Sequence, residues 1–89
     1  MSIQEAVSRD TVIHTARELG ALLRTLRVSQ HITLEKASGI TRLGMRFLSE
    51  LERGKETAQL GKVIHIITQL GLEIVIRPRR YQRRDKIND

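Results

Sequence analysis

The segment Gly44-Met45-Arg46-Phe47-Leu48-Ser49-Glu50-Leu51-Glu52-Arg53-Gly54-Lys55 constrains this chain more than any other stretch of it. Leu48 and Leu51 stand three apart and, with Phe47, make one apolar side of a helix. Met45, Arg46, Ser49, Glu50 and Arg53 occupy the other side. Arg53 in the last turn complements the helix dipole, and Gly54 supplies the left-handed conformation on which a helix ends. The segment reads as a short helix with a core-facing side, a polar side and a sharp stop.

The surrounding sequence supplies further helices. From Asp10, a residue able to cap a helix, the apolar positions Val12, Ala16, Leu19, Leu23 and Leu26 recur at steps of four, three, four and three. This spacing predicts an amphipathic helix to about Arg27. Gly20 inside it lowers helix stability, which points to a close approach by a neighbour. After the connector Val28 to Ile32, Thr33 caps a helix from Leu34 to about Thr41, with Leu34, Ala37 and either Ile40 or Thr41 turned inward. Arg42-Leu43-Gly44 makes the turn, with Leu43 as a buried plug and Gly44 as the permissive position. A last helix of about Leu60 to Leu70 places Leu60, Val63, Ile64, Ile67 and Leu70 on one face, and Gly71 ends it.

The period then changes. Leu72, Glu73, Ile74, Val75 and Ile76 form a β-branched run that stops at Pro78 and reads as the one convincing strand. A lone strand leaves its backbone groups unpaired, and the economical partner is the same strand of a second copy about a two-fold axis. A homodimer follows from this argument alone. The expected organisation is an N-terminal arm over 1–9, a helical domain with its strand over 10–77, and a basic tail over 78–89.

Composition narrows the classes. A chain of 89 residues without cysteine is one small domain with a modest core and no disulfide or zinc-thiolate site. No apolar run is long enough to span a bilayer, and the first residues lack the features of a signal peptide. A cytoplasmic protein with no membrane partner is expected. The net charge is +6, of which residues 77–89 carry +4. A basic balance suits a polyanionic partner, yet an exposed charge run is commonly just solvated. The tail Arg77 to Arg84 therefore has three open fates: a DNA arm, a contact for an acidic partner, or a solvated end.

Two short helices joined by a tight turn, Leu34–Thr41 and the 44–55 segment, outline a helix-turn-helix, whose second helix enters the DNA major groove. Thr33, Leu34, Ala37, Leu43, Leu48, Ser49, Glu52 and Gly54 fall at the spacing of the Cro/repressor-type (Xre) helix-turn-helix family, which the chain resembles over about residues 16–77. The 44–55 run, followed by Gln59-Leu60-Gly61-Lys62-Val63 and Leu70-Gly71-Leu72-Glu73-Ile74-Val75, looks like HipB-type antitoxins. Two positions depart from the family pattern. Leu34 stands where the family usually has a phosphate-touching Gln, and Gly44 where it prefers a Ser or Thr cap. The resemblance implies a mainly α fold: a four-to-five-helix repressor-type domain plus one C-terminal strand paired across a homodimer. It also implies double-stranded operator DNA and a HipA-like kinase toxin as partners; neither spacing nor charge shows the toxin.

In that geometry Met45, Arg46, Ser49 and Glu50 face base edges. Arg46 is the strongest candidate, because a guanidinium bonds guanine O6 and N7 together. Glu50 either accepts from cytosine N4 or repels phosphates and so narrows the choice of sequence. Met45 offers apolar contact to a thymine methyl. The resemblance places Thr33 at a helix N-terminus against phosphate, and Arg42, Arg53 and Lys55 flank the second helix as further phosphate partners. It also implies an ion pair between Arg27 and Glu52 that ties the first long helix to the second helix of the motif.

Other readings fit less well. His14, His31 and His65 are widely spaced and make no metal site, and no constellation for an enzyme assembles. No cofactor is expected. Gly39 and Gly44 have the spacing of a phosphate-loop fragment, but Met45 stands in place of the required Lys and no strand precedes it. RNA binding lacks stacking platforms, since Phe47 and Tyr81 are the only aromatics and Phe47 is assigned to the core. A stand-alone repressor without a toxin, and a protein-interaction module, stay open beside the antitoxin reading.

Overall fold

The structure, a computed structural model, describes Val7 and residues 9–79. Most of the 1–9 arm and the tail beyond Arg79 lie outside the described residues. Among the described residues four helices follow in order: α1 (Ala16–Ser29), α2 (Leu34–Thr41), α3 (Met45–Glu52) and α4 (Leu60–Gln69).

The first helix begins later than the apolar periodicity predicts. Thr15 caps it, with its hydroxyl oxygen accepting from the Glu18 amide at 3.0 Å, and Glu18 reaches back to accept from the His14 amide at 2.6 Å. Thr-x-x-Glu is a capping signature, and these two exchanges satisfy amides that a helix start leaves open. Asp10 caps nothing; its carboxylate instead accepts from Arg77 at 3.0 Å, joining the segment before α1 to the one after α4. Val12, placed by its spacing on the apolar face of a helix, lies ahead of α1 and is exposed.

Each of these four helices ends on a residue in the left-handed conformation: His31 (φ 58°), Arg42 (φ 63°), Gly54 (φ 90°) and Gly71 (φ 77°). After α1, α3 and α4 the same pair of bonds recurs. Ile32, Lys55 and Leu72 donate their amides to the carbonyls of Arg27, Glu50 and Ile67, while His31, Gly54 and Gly71 donate to Val28, Leu51 and Thr68. This is the Schellman closure, which turns the chain sharply and satisfies terminal carbonyls. After α2 a single bond, Arg42 amide to Ser38 carbonyl at 2.8 Å, does the same work. The permissive position in the turn is therefore Arg42, not Gly44, whose backbone is ordinary extended (φ −63°).

Leu23, Leu26, Leu48, Leu51, Val63, Ile66 and Ile67 are buried, with Leu19, Leu34, Ala37, Leu43, Phe47, Leu70 and Leu72 packed against the main cluster. Within α2, Leu34 and Ala37 face inward as expected, and Thr41 rather than Ile40 completes that side. Within α4 the buried stripe is Val63, Ile66, Ile67 and the half-buried Leu70. Leu60 and Ile64, expected on that stripe, are exposed, because α4 is rotated so that the 63/66/67/70 spacing meets the core. Residues 72–79 form no strand within this single chain, and Ile74, Val75 and Ile76 are exposed. Among the described residues no helix is long and apolar enough to cross a membrane.

Candidate nucleic-acid interface

The placement of α3 is set by close backbone packing at its C-terminal end. A Cβ at Gly20 would strike the Leu51 and Glu52 carbonyls, so only glycine lets α1 pass so near. A Cβ at Gly54 would lie 2.8 Å from the Cα of Arg17, and its φ is positive as well. Leu48 and Leu51 bury the inner side of α3, while the ring of half-buried Phe47 is covered by the Lys62 ammonium 5.4 Å from its centroid.

Arg27 and Glu52 hold α1 to α3 from the side. Arg27 Nε donates to Glu52 Oε2 at 2.7 Å and a terminal guanidinium nitrogen donates to Oε1 at 3.0 Å. The other terminal nitrogen donates to the Ile32 carbonyl at 2.7 Å, within the turn that closes α1. These side chains are 15% and 10% exposed, so the charges are largely withdrawn from water but fully hydrogen-bonded to each other. The Glu52 carboxylate raises the Arg27 pKa above its ordinary value by accepting those bonds. Both residues border a cavity of about 80 Å³ whose other walls include Leu23, Ala37, Leu48 and Ile66.

The outer side of α3 carries the expected polar set, and the structure groups it into two clusters. In the first, Arg46 Nε donates to Glu50 Oε2 at 3.3 Å and Lys55 Nζ donates to Glu50 Oε1 at 3.0 Å. Lys55, and secondarily Arg46, hold the Glu50 carboxyl below its ordinary pKa by donating to it. In the second, Arg53 donates to the Ser49 hydroxyl oxygen at 2.6 Å, which leaves the Ser49 hydroxyl hydrogen available to an outside acceptor. Met45 and Arg46 are exposed at the start of the helix.

Thr33 and Arg42 mark the two ends of α2. The Thr33 hydroxyl oxygen accepts from the Lys36 amide at 3.1 Å, so its hydrogen is likewise free to donate outward. Arg42 is exposed and its guanidinium has no partner among the described residues. The intervening turn is tied by Ser38, whose hydroxyl donates to the Leu43 carbonyl at 2.6 Å, and by Thr41, whose hydroxyl donates to the Ala37 carbonyl at 2.8 Å. Gly44 gives α3 no side-chain cap.

Sequence reasoning missed the Thr15/Glu18 capping pair, which the Thr-x-x-Glu spacing carries, and the Asp10–Arg77 link, which no local pattern carries. It also missed the contact of 3.3 Å between His65 Nε2 and the Thr41 carbonyl at the end of α2.

Two helices, α2 and α3, joined by a three-residue turn and backed by α1, reproduce the helix-turn-helix arrangement, with the second helix outermost in its polar residues. The chain is 41% identical over 64 residues to the uncharacterized HTH-type transcriptional regulator y4mF of Sinorhizobium fredii, an alignment covering 72% of this chain and 84% of that protein. The chain belongs to the helix-turn-helix transcriptional regulators. No family model matches it. In helix-turn-helix regulators the second helix of the motif lies in the major groove with its N-terminal residues toward base edges. In this chain the second helix of the motif is α3, which begins at Met45 and Arg46.

Proposed function

We propose that this helix-turn-helix regulator is a homodimeric, sequence-specific repressor and the antitoxin of a HipA-type kinase toxin system, controlling its own operon and contributing to toxin neutralisation. The observation that carries the DNA part is the division of α3. Its apolar side and C-terminal backbone are locked into the domain, while Met45, Arg46, Ser49 and Glu50 line the outer side toward base edges. Thr33, Arg42, Arg53 and Lys55 stand around it as phosphate partners, and each should make binding more salt-dependent.

The dimer part rests on apolar surface that a single chain leaves uncovered. Leu60 and Ile64 on α4 and Ile74, Val75 and Ile76 beyond it are all exposed. The last three lie in a β-branched run that forms no ladder within its own chain. A second copy pairing strand 72–77 about a two-fold axis covers this surface and satisfies the backbone. Two α3 helices then read half-sites about one helical turn apart, or a multiple of it. The toxin partner rests on the likeness to HipB-type antitoxins alone.

The test is binding of the purified chain to a duplex from upstream of its own coding region, against random-sequence duplexes, at several salt concentrations. Preference for the upstream duplex supports the reading; equal affinity for all duplexes removes sequence-specific repression. A kinase-like product of the neighbouring gene that co-purifies with this chain supports the antitoxin role. Its absence leaves the stand-alone regulator.

A further inference from the structure

The polar side of α3 is not a set of free cations. Both oxygens of Glu50 are occupied, Oε2 by Arg46 Nε at 3.3 Å and Oε1 by Lys55 Nζ at 3.0 Å. The backbone enforces the second contact. Lys55 follows Gly54 in the closure of α3, and its amide bonds the Glu50 carbonyl at 3.0 Å, which sets the two residues side by side. Arg46 arrives from one helical turn earlier, the spacing at which helical side chains meet. The Glu50 side chain is 24% exposed and that of Arg46 is 90% exposed, so the carboxylate sits low on the helix with the guanidinium above it. Because Arg46 is held through Nε, its two terminal nitrogens stay available to a base edge.

We propose that Glu50 is an intramolecular counter-ion that sets DNA specificity: it holds Arg46 and Lys55 in the free protein, so that phosphates must draw these cations away from it, whereas a guanine edge need not draw Arg46 away. This inference rests on the DNA-binding reading above and deepens it. A duplex bound in a register with no guanine edge at Arg46 offers the two cations only phosphates, which compete with Glu50 and are repelled by it. A duplex that presents guanine O6 and N7 to Arg46 adds a paired acceptor that Glu50 does not contest, since Arg46 can hold both at once. Glu50 thereby weakens non-specific binding more than specific binding. It is a positioning and specificity-determining residue, without itself needing to touch a base.

The experiment compares the wild-type chain with Glu50→Gln and Glu50→Ala, each checked for folding by circular dichroism. Affinities are measured for a random-sequence duplex and for the duplex from upstream of the coding region, across a range of salt. Both variants are expected to bind the random duplex about tenfold more tightly at low salt, with a salt slope steeper by about 1–2 for each protomer as the released cations engage phosphate. The upstream duplex gains less, so discrimination falls. Unchanged affinity and slope on the random duplex overturn the inference. So does a loss confined to the upstream duplex, which makes Glu50 a direct acceptor from cytosine. A wild-type chain that prefers no duplex overturns the regulator reading and this inference together, whereas a discriminating wild type with unaltered variants overturns this inference alone.

Discussion

Arg27 and Glu52 meet as a two-point fork, at 2.7 and 3.0 Å, across 25 positions of sequence. The fork joins the end of α1 to the end of α3 beside an apolar cavity, so removing either partner strands the other where water reaches it poorly. Glu52→Gln and Arg27→Met are each expected to lower stability by about 2–4 kcal/mol, less than a wholly buried pair because both groups keep some exposure. Urea unfolding measures this, and the double variant should cost less than the sum of the two. A strictly additive cycle would show that the groups do not act as a pair.

Gly20 and Gly39 both sit within helices, yet the same change should have opposite effects. At Gly20 an added methyl strikes the Leu51 and Glu52 carbonyls, and at Gly39 it meets nothing within 4 Å. Gly20→Ala is expected to destabilise by about 2 kcal/mol or more through overpacking. Gly39→Ala is expected to stabilise by about 0.5–1 kcal/mol, the intrinsic advantage of alanine in a helix. Thermal melting of the two variants decides; a stabilised Gly20→Ala would contradict the α1–α3 approach.

His31 holds a left-handed conformation that suits glycine better, and its side chain is exposed. His31→Gly should raise stability by about 1 kcal/mol through release of that strain. A lower melting temperature would mean that the imidazole makes a contact of its own.

Arg46 and Arg42 should differ in kind. Arg46→Ala is expected to reduce affinity for the preferred duplex by about 1–3 kcal/mol and to relax the base preference at one position of each half-site. Arg42→Ala should weaken binding to all duplexes alike and reduce the salt slope by about 1 per protomer. Equal losses on preferred and random duplexes for Arg46→Ala would remove it from the base-reading set.

Acid should loosen the start of α1. The Glu18 carboxyl is held below its ordinary value of 4.5, chiefly by the bond from the His14 amide. A depressed folded-state value means that the stabilisation is complete above the unfolded value and is lost as pH falls through the folded one. Melting temperature should therefore drop below about pH 4.5 in the wild type, and Glu18→Gln should show a shallower decline over that window. Identical acid limbs would separate the capping bond from stability.

Much of this architecture was legible because it follows from periodicity and punctuation. The extent of α2 and α3, the Thr33 cap, the Gly54 stop and the burial of Leu48 and Leu51 all follow from local spacing. What escaped was decided elsewhere. The start of α1 turned on Thr15 and Glu18, whose bonds to the Glu18 and His14 amides outweigh an apolar pattern running back to Val12. The rotation of α4 was ambiguous because nearly every turn of it is apolar, so spacing alone does not choose between Ile64 and Ile66. The left-handed position at Arg42 was hidden by an available glycine two residues later. The outer side of α3 was legible as a list of residues. Its partition into a Glu50 cluster and a Ser49–Arg53 pair has no signature in the spacing, because rotamers and the Lys55 turn set it.

The way α3 is fastened also bears on how such a protein diversifies. Its grip on the domain lies in Leu48, Leu51, Glu52 and the glycine-lined contacts at its C-terminal end. Positions 45, 46 and 49 carry almost none of that grip. Under the proposed DNA-reading role, substitutions there would alter the target sequence while leaving in place the contacts that hold the helix, so a lineage built on this scaffold could change targets without giving up its fold.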